Sequence, residues 1–166
     1  MEKNFIEKLI TVNRVTKVVK GGRIMAFVTL VVVGNGKGKI GIGKGKSKEV
    51  PLAVQKAVKE ATADMIYIPI VEHGTILYPV EYKYGATKVM IKPAKAGHGL
   101  IAGGAMRQVF EAVGIHNITA KVHGSRNAFN VVKATVNALL QLQTRESIMA
   151  QRGIDLNDGE EQIQNS

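Results

Sequence analysis

Ile10-Thr11-Val12-Asn13-Arg14-Val15-Thr16-Lys17-Val18-Val19-Lys20-Gly21-Gly22-Arg23-Ile24-Met25-Ala26-Phe27-Val28 is the stretch on which the fold turns. Ile10–Val19 and the following Ile24–Val33 are rich in Val, Ile and Thr, residues that favour pleated strands. Two glycines between such runs supply the backbone freedom of a tight hairpin turn. The stretch therefore predicts a β-hairpin with its tip at Lys20–Arg23. Apolar residues in the second run are continuous, so alternation does not say which of its faces is buried.

Working outward, Gly34-Asn35-Gly36-Lys37-Gly38 predicts a second turn, followed by a short strand around Lys39–Gly43. Ser47 can cap a helix starting near Lys48, with Pro51 tolerated in its first turn. Val50, Val54, Ala57, Val58, Ala61 and Met65 then form one helical stripe. Ile66–Glu72 reads as a connection. Thr75–Tyr82 and Ala86–Lys92 predict a strand pair turning near Lys83–Gly85. Gly97-His98-Gly99 leads to Gly103-Gly104 and a helix over Ala105–Val113, with Gly114 as its stop. Ile118–Val122 predicts another strand. Asn130 is the expected cap of a last helix, whose apolar face carries Val132, Val136, Leu139, Leu140 and Gln143. From Thr144 the chain turns polar and acidic and is expected to fray. The class is α+β in two small domains, 6–69 and 73–143, with a tail over 144–166.

The charge is unevenly placed. The 166 residues carry 23 Lys plus Arg and 13 Asp plus Glu, a formal net charge of +10. Residues 1–48 account for +9 of it, and no carboxylate occurs between Glu7 and Glu49, where ten Lys or Arg stand. A surface built only for solubility mixes its signs. This one reads as a surface for phosphates, with a solvated lysine-rich face as the bland alternative.

Several classes fall away. No cysteine is present, which excludes disulfides, thiolate metal sites and a cysteine nucleophile. The longest apolar run, Ala26–Val33, is far short of the ~20 residues that span a bilayer, so the chain is expected to be soluble. Its N-terminus alternates charge without a signal-peptide core. Gly45-Lys46-Ser47 lies out of register for a phosphate loop, because Ile40 holds the position of its first glycine. Gly36, Gly38 and Gly41 satisfy GxGxxG, but inside what reads as strand rather than at a helix start. Alternating Gly and Lys would instead put lysines on one strand face and let a sugar-phosphate backbone approach. His73, His98, His116 and His123 lack metal-ligand spacing. Ser125 near His123 has no acid to orient a base. No enzyme, cofactor or metal is expected.

These runs resemble the bacterial small-subunit ribosomal protein five family. The resemblance is carried by Val12–Arg23, by Val33–Gly36 with Gly41–Lys46, and by Ile101-Ala102-Gly103-Gly104-Ala105-Met106-Arg107. His123-Gly124-Ser125-Arg126-Asn127 and Asn130–Thr135 complete it, in collinear order over about residues 6–155. The resemblance implies an N-terminal β-β-β-α domain similar to double-stranded RNA-binding domains and a C-terminal βαβ-type α/β sandwich domain.

It further implies a cytoplasmic, structural constituent of the small subunit that binds ribosomal RNA, supports assembly and decoding accuracy, and helps form the messenger RNA entry region. DNA and membrane are not among the implied partners. Phosphate contacts fall to Arg14, Lys17, Lys20, Arg23, Lys44, Lys46 and Lys48. Gly21 and Gly22 form the tip, and Val15, Thr16 and Lys17 match positions associated with spectinomycin resistance. His123, Ser125, Arg126, Asn127, Asn130 and Lys133 are the implied second RNA segment. Gly103, Gly104 and Arg107 match the contact with ribosomal protein four, against the alternative of a helix entry serving only the fold. Protein eight is a further implied neighbour. Departures from the family's usual residues fall at Ile42, Arg126, Ala128 and Lys133, and a lysine at 133 lacks the bidentate phosphate geometry of arginine. A free-standing RNA binder or RNA chaperone is the competing class.

Overall fold

The structure, a computed structural model, describes residues 5–71 and 74–153. His73 and the tail from 154 onward lie outside the described residues. The architecture is α+β, with two four-stranded sheets. The first has the order β1 (Ile6–Val19), β2 (Gly22–Gly34), β3 (Lys39–Ser47) and β4 (Ile66–Tyr67), all antiparallel, with α1 (Val50–Ala63) on one face. The second pairs β5 (Val80–Tyr84) with β6 (Thr87–Pro93), then β8 (Ile118–Gly124), then β7 (Leu100–Ile101). The β7–β8 pairing is parallel, with α2 (Gly104–Val113) as the crossover between the two strands. Helices α3 (Ala128–Leu140) and α4 (Arg145–Gln151) close the chain.

Strand β3 runs to Ser47, four residues past the expected end, because its glycines have a packing role. A Cβ at Gly41, Gly43 or Gly45 would fall 1.9, 1.7 or 1.9 Å from the carbonyl oxygens of Ala61, Ala57 and Ala53. Residues two apart on a strand meet residues four apart on a helix, and only glycine against alanine lets the backbones come so close. The buried line of α1 is accordingly Ala53, Ala57 and Ala61, with Val54 and Val58 half-buried beside it. This corrects the expected use of the glycines: they face the helix and are closed to RNA. Ser47 does not cap α1 either. Glu49 occupies that position without a side-chain cap, and the Ser47 hydroxyl accepts from the Glu49 N–H at 3.5 Å.

Other differences come from pairings distant in sequence. Ile66–Tyr67, expected as connection, is a strand because Lys39 and Ile40 offer it a free edge. Strand β5 starts at Val80, five residues late, and its turn with β6 falls at Gly85–Ala86. Asn127 rather than Asn130 caps α3, its Oδ1 accepting from the Phe129 N–H at 3.1 Å. Leu140 is 46% exposed, while Val131, Ala134, Thr135 and Ala138 join the buried face. Residues 145–151 form a helix where fraying was expected, capped by Thr144, whose side chain accepts from the Ser147 N–H.

One core joins the two sheets. Leu30, Val32 and Ile40 of the first pack in the same cluster as Val89 and Ile91 of the second, with Met106, Val109 and Phe110 of α2. Val31 and Val33, on the opposite face of β2, belong to the smaller cluster under α1. The junction is also tied through backbone. The N–H groups of Gly36 and Gly38 donate to the carbonyls of Ala112 and Val113, at 3.0 and 2.9 Å. Carbonyls that the end of α2 leaves open are thus satisfied by the turn of the other unit. Gly114 ends α2 in the left-handed conformation, φ 101°.

Candidate nucleic-acid interface

The β1–β2 hairpin outgrows its sheet. Strand β3 accompanies β2 only as far as the Phe27–Ser47 pair, whereas the hairpin continues from Arg14–Phe27 to Val19–Gly22. At about 3.3 Å per residue the free part is roughly 20 Å long. Both its faces are open: Val12 to Val19 and Gly22 to Met25 are all exposed. Val18 is 76% exposed, an unusual setting for a β-branched apolar residue on a strand. An arm of this kind, apolar and cationic with no carboxylate along it, offers a surface that an anionic partner can cover.

Register divides the arm into two faces. Arg14, Thr16, Val18, Arg23 and Met25 share the side on which α1 packs, since Phe27 and Thr29 continue that row toward Val31 and Val33. The Arg14 guanidinium lies against the Met25 sulfur. Val15, Lys17, Val19 and Ile24 share the other side, continuous with Val28, Leu30 and Val32 and facing the second unit. Lys20 and Gly21 form the turn itself.

The lysines of β3 belong to the second face. Lys44 pairs with Leu30 and Lys46 with Val28, so both side chains leave the sheet opposite α1, and both are exposed. The Lys44 Nζ sits 5.1 Å from the centroid of the Phe129 ring, a cation–π distance that holds it toward the start of α3. The outward edge of β3 is closed at this point by Glu60, whose carboxylate accepts from the Lys44 N–H at 2.9 Å. Lys48 follows the strand, exposed in a bend.

Between these elements lies a crevice of about 420 Å³. Asn13 and Val15 of β1, Lys44 of β3, and Asn127, Phe129 and Asn130 at the start of α3 contribute to its walls. Val15, Lys44, Asn127 and Asn130, expected as RNA contacts from separate parts of the sequence, are therefore brought together. Asn13 and Phe129 were not anticipated. The signal for Asn13 was its alternation with Val15 and Lys17; Phe129 carried none, because its role depends on a lysine 85 positions away in the chain.

The remaining expected residues are dispersed. His123 is exposed on β8 opposite Lys88. Ser125 serves local structure, its N–H donating to the Ala86 carbonyl at 3.0 Å and its hydroxyl accepting from the Asn127 N–H. Lys133 is half-buried on α3. Arg126 opens onto a different cavity, about 290 Å³, together with Gly103, Gly104 and Lys121. His98 pairs with the Thr119 hydroxyl at 3.3 Å.

Gly103 and Gly104 are exposed, neither has a left-handed φ, and a Cβ at either would meet nothing within 4 Å. Gly103 is the cap residue of α2, where glycine is favoured over alanine, whereas the helix entry does not require Gly104. Arg107, one turn along, is exposed and paired with Glu111 at 3.3 Å; Glu111 also holds Lys8 of β1 at 3.2 Å. Partial burial raises the Glu111 carboxyl, but the hydrogen bonds and charges of Lys8 and Arg107 outweigh it and hold the group below its ordinary value. No group of His, Cys, Asp and Glu among the described residues could hold a metal. No helix among them is long and apolar enough to cross a membrane.

Comparison with known proteins matches both halves. Residues 5–69 match the family described as ribosomal protein S5, N-terminal domain, and residues 82–152 match ribosomal protein S5, C-terminal domain. The chain is 60% identical over 153 residues to the small ribosomal subunit protein uS5 of Neisseria meningitidis serogroup C, covering 92% of this chain and 88% of that one. The uS5 protein of Chromobacterium violaceum is 58% identical with the same coverage. That of Nitrosomonas eutropha is 55% identical over 152 residues, 92% of this chain and 85% of its own.

Proposed function

Because the chain belongs to the ribosomal protein S5 family, structural and non-enzymatic constituents of the small ribosomal subunit, we propose that its hairpin arm binds ribosomal RNA during and after subunit assembly. The observation that carries this reading is the arm itself: about 20 Å of hairpin open on both faces, bearing Arg14, Lys17, Lys20 and Arg23 without a carboxylate. Residues 6–69 act as the RNA-binding unit and residues 73–143 as the unit that meets protein neighbours. Val15, Thr16 and Lys17 lie along the arm and are the positions where spectinomycin resistance would arise.

Gly103, Gly104 and Arg107 form the contact with ribosomal protein four, through which the protein affects decoding accuracy. The open space beside both glycines supports this, since a neighbouring backbone can come close where no side chain stands. Ribosomal protein eight is a second neighbour, and messenger RNA passes near the basic surface at the entry channel.

The test is binding of small-subunit ribosomal RNA by the full chain and by the Lys20→Ala, Arg23→Ala double variant across a salt series. With 6–10 phosphate contacts the affinity of the parent falls roughly 10³–10⁵-fold between 50 and 200 mM salt. The variant should keep its thermal unfolding temperature, bind more weakly, and lose about one unit of salt slope per removed cation. An unchanged affinity and slope would remove the arm from the interface.

A further inference from the structure

The crevice between the arm and the start of α3 contains groups that phosphate neutralisation alone does not require. Lys44 is its cation, steadied over the Phe129 ring. Asn13 and Asn130 present carboxamides that make no hydrogen bond among the described residues. Asn127 spends its Oδ1 on the Phe129 N–H, which leaves its amide nitrogen as a donor. Val15, Val28 and Phe129 supply apolar wall, and no lining residue is a carboxylate. Carboxamides carry a donor and an acceptor side by side, which suits a base edge or a 2′-hydroxyl better than a phosphate oxygen, an acceptor only. A paired helix keeps its bases stacked inside and cannot enter a pocket of about 420 Å³.

We infer that this crevice receives one unpaired nucleotide projecting from a ribosomal RNA helix. Lys44 meets its phosphate, and the carboxamides of Asn13 and Asn130 read its base edge or ribose. The inference rests on the proposed RNA binding by the arm and adds a second, structure-selective element to it. The crevice draws on β1, β2 and β3 of one unit and α3 of the other, so it exists only while the two units are docked.

The experiment compares the full chain binding a fully paired RNA hairpin with the same hairpin carrying one bulged nucleotide, each of the four bases in turn. At least one bulged hairpin should bind about tenfold more tightly than the paired one, the equivalent of a net hydrogen bond or two. Asn13→Ala with Asn130→Ala, and separately Lys44→Met, should abolish that ratio by weakening the bulged hairpin more than the paired one, Lys44→Met also lowering the salt slope for both by about one unit. Lys20→Ala with Arg23→Ala should weaken both hairpins alike and preserve the ratio. Thermal unfolding of each variant separates loss of contact from loss of fold, and Lys44→Met retains most of the side-chain volume over Phe129. Equal binding of paired and bulged hairpins by the parent chain, or a ratio that survives both crevice changes, overturns the nucleotide site and turns this face toward protein. Failure of the arm variant to weaken either hairpin overturns the underlying reading instead.

Discussion

The missing side chain of Gly43 leaves room for the carbonyl oxygen of Ala57: a Cβ there would stand 1.7 Å from that oxygen. Gly41 and Gly45 meet Ala61 and Ala53 in the same way, so β3 and α1 pack backbone to backbone along three successive contacts. The lysines between the glycines are thereby forced onto the opposite side of the sheet, toward the arm's inner face. A packing requirement on one face of the strand thus sets which face carries the charge.

Gly43→Ala should be strongly destabilising, because the atoms it meets are all backbone and cannot rotate away. Overpacking costs about 1–3 kcal/mol, and a clash with fixed backbone stands at the upper end of that range. At this chain length that lowers the unfolding midpoint by roughly 6–12 °C. Calorimetry or circular dichroism would measure it, and a drop below about 2 °C would refute the close approach.

Gly104→Ala should leave stability within about 0.5 kcal/mol of the parent, and Gly103→Ala, at the cap of α2, should cost no more than about 1 kcal/mol. Gly114→Ala is the contrast. Its φ is 101° and its Cβ would lie 2.1 Å from the Gly36 carbonyl oxygen, so it should cost several-fold more. Urea unfolding of the three variants distinguishes them. If the first two also lose retention on small subunits, the glycines serve the neighbour and not the fold.

Asn127→Ala should cost about 1 kcal/mol by removing the cap of α3. Asn130→Ala, already inside the helix, should be close to neutral for stability. Equal losses at the two positions would contradict the observed capping.

Glu111 gives a pH signature. Its carboxyl is held below its ordinary 4.5 when folded, so its two ion pairs stabilise the chain above that value and the contribution is lost as pH falls through the lowered folded pKa. The pairs are partly exposed, so the effect is small and weakens with salt. Urea unfolding from about pH 6 to pH 3 should show Glu111→Gln converging on the parent at the acid end. Parallel curves over the whole range would exclude the carboxylate as the titrating group.

The sequence by itself determined the elements that depend on near neighbours. The Gly-Gly hairpin, the turn at Gly34–Gly38, the Gly114 stop and the concentration of cations before residue 49 all follow from local turn chemistry and from counting. Family motifs added the expected contact residues. Only the tertiary structure decided what the alternating glycines and lysines mean, because the partner of each glycine is a helix residue eight to twenty positions on and nothing local encodes the docking. It also decided that Asn127 and not Asn130 caps α3, since both have the right chemistry and the Ala128–Leu140 helix must seat its apolar face on the second sheet. The crevice was beyond reach of the sequence for the same physical reason. Its walls come from the first three strands and the distant start of α3, and their convergence depends on a shared core that no single segment contains.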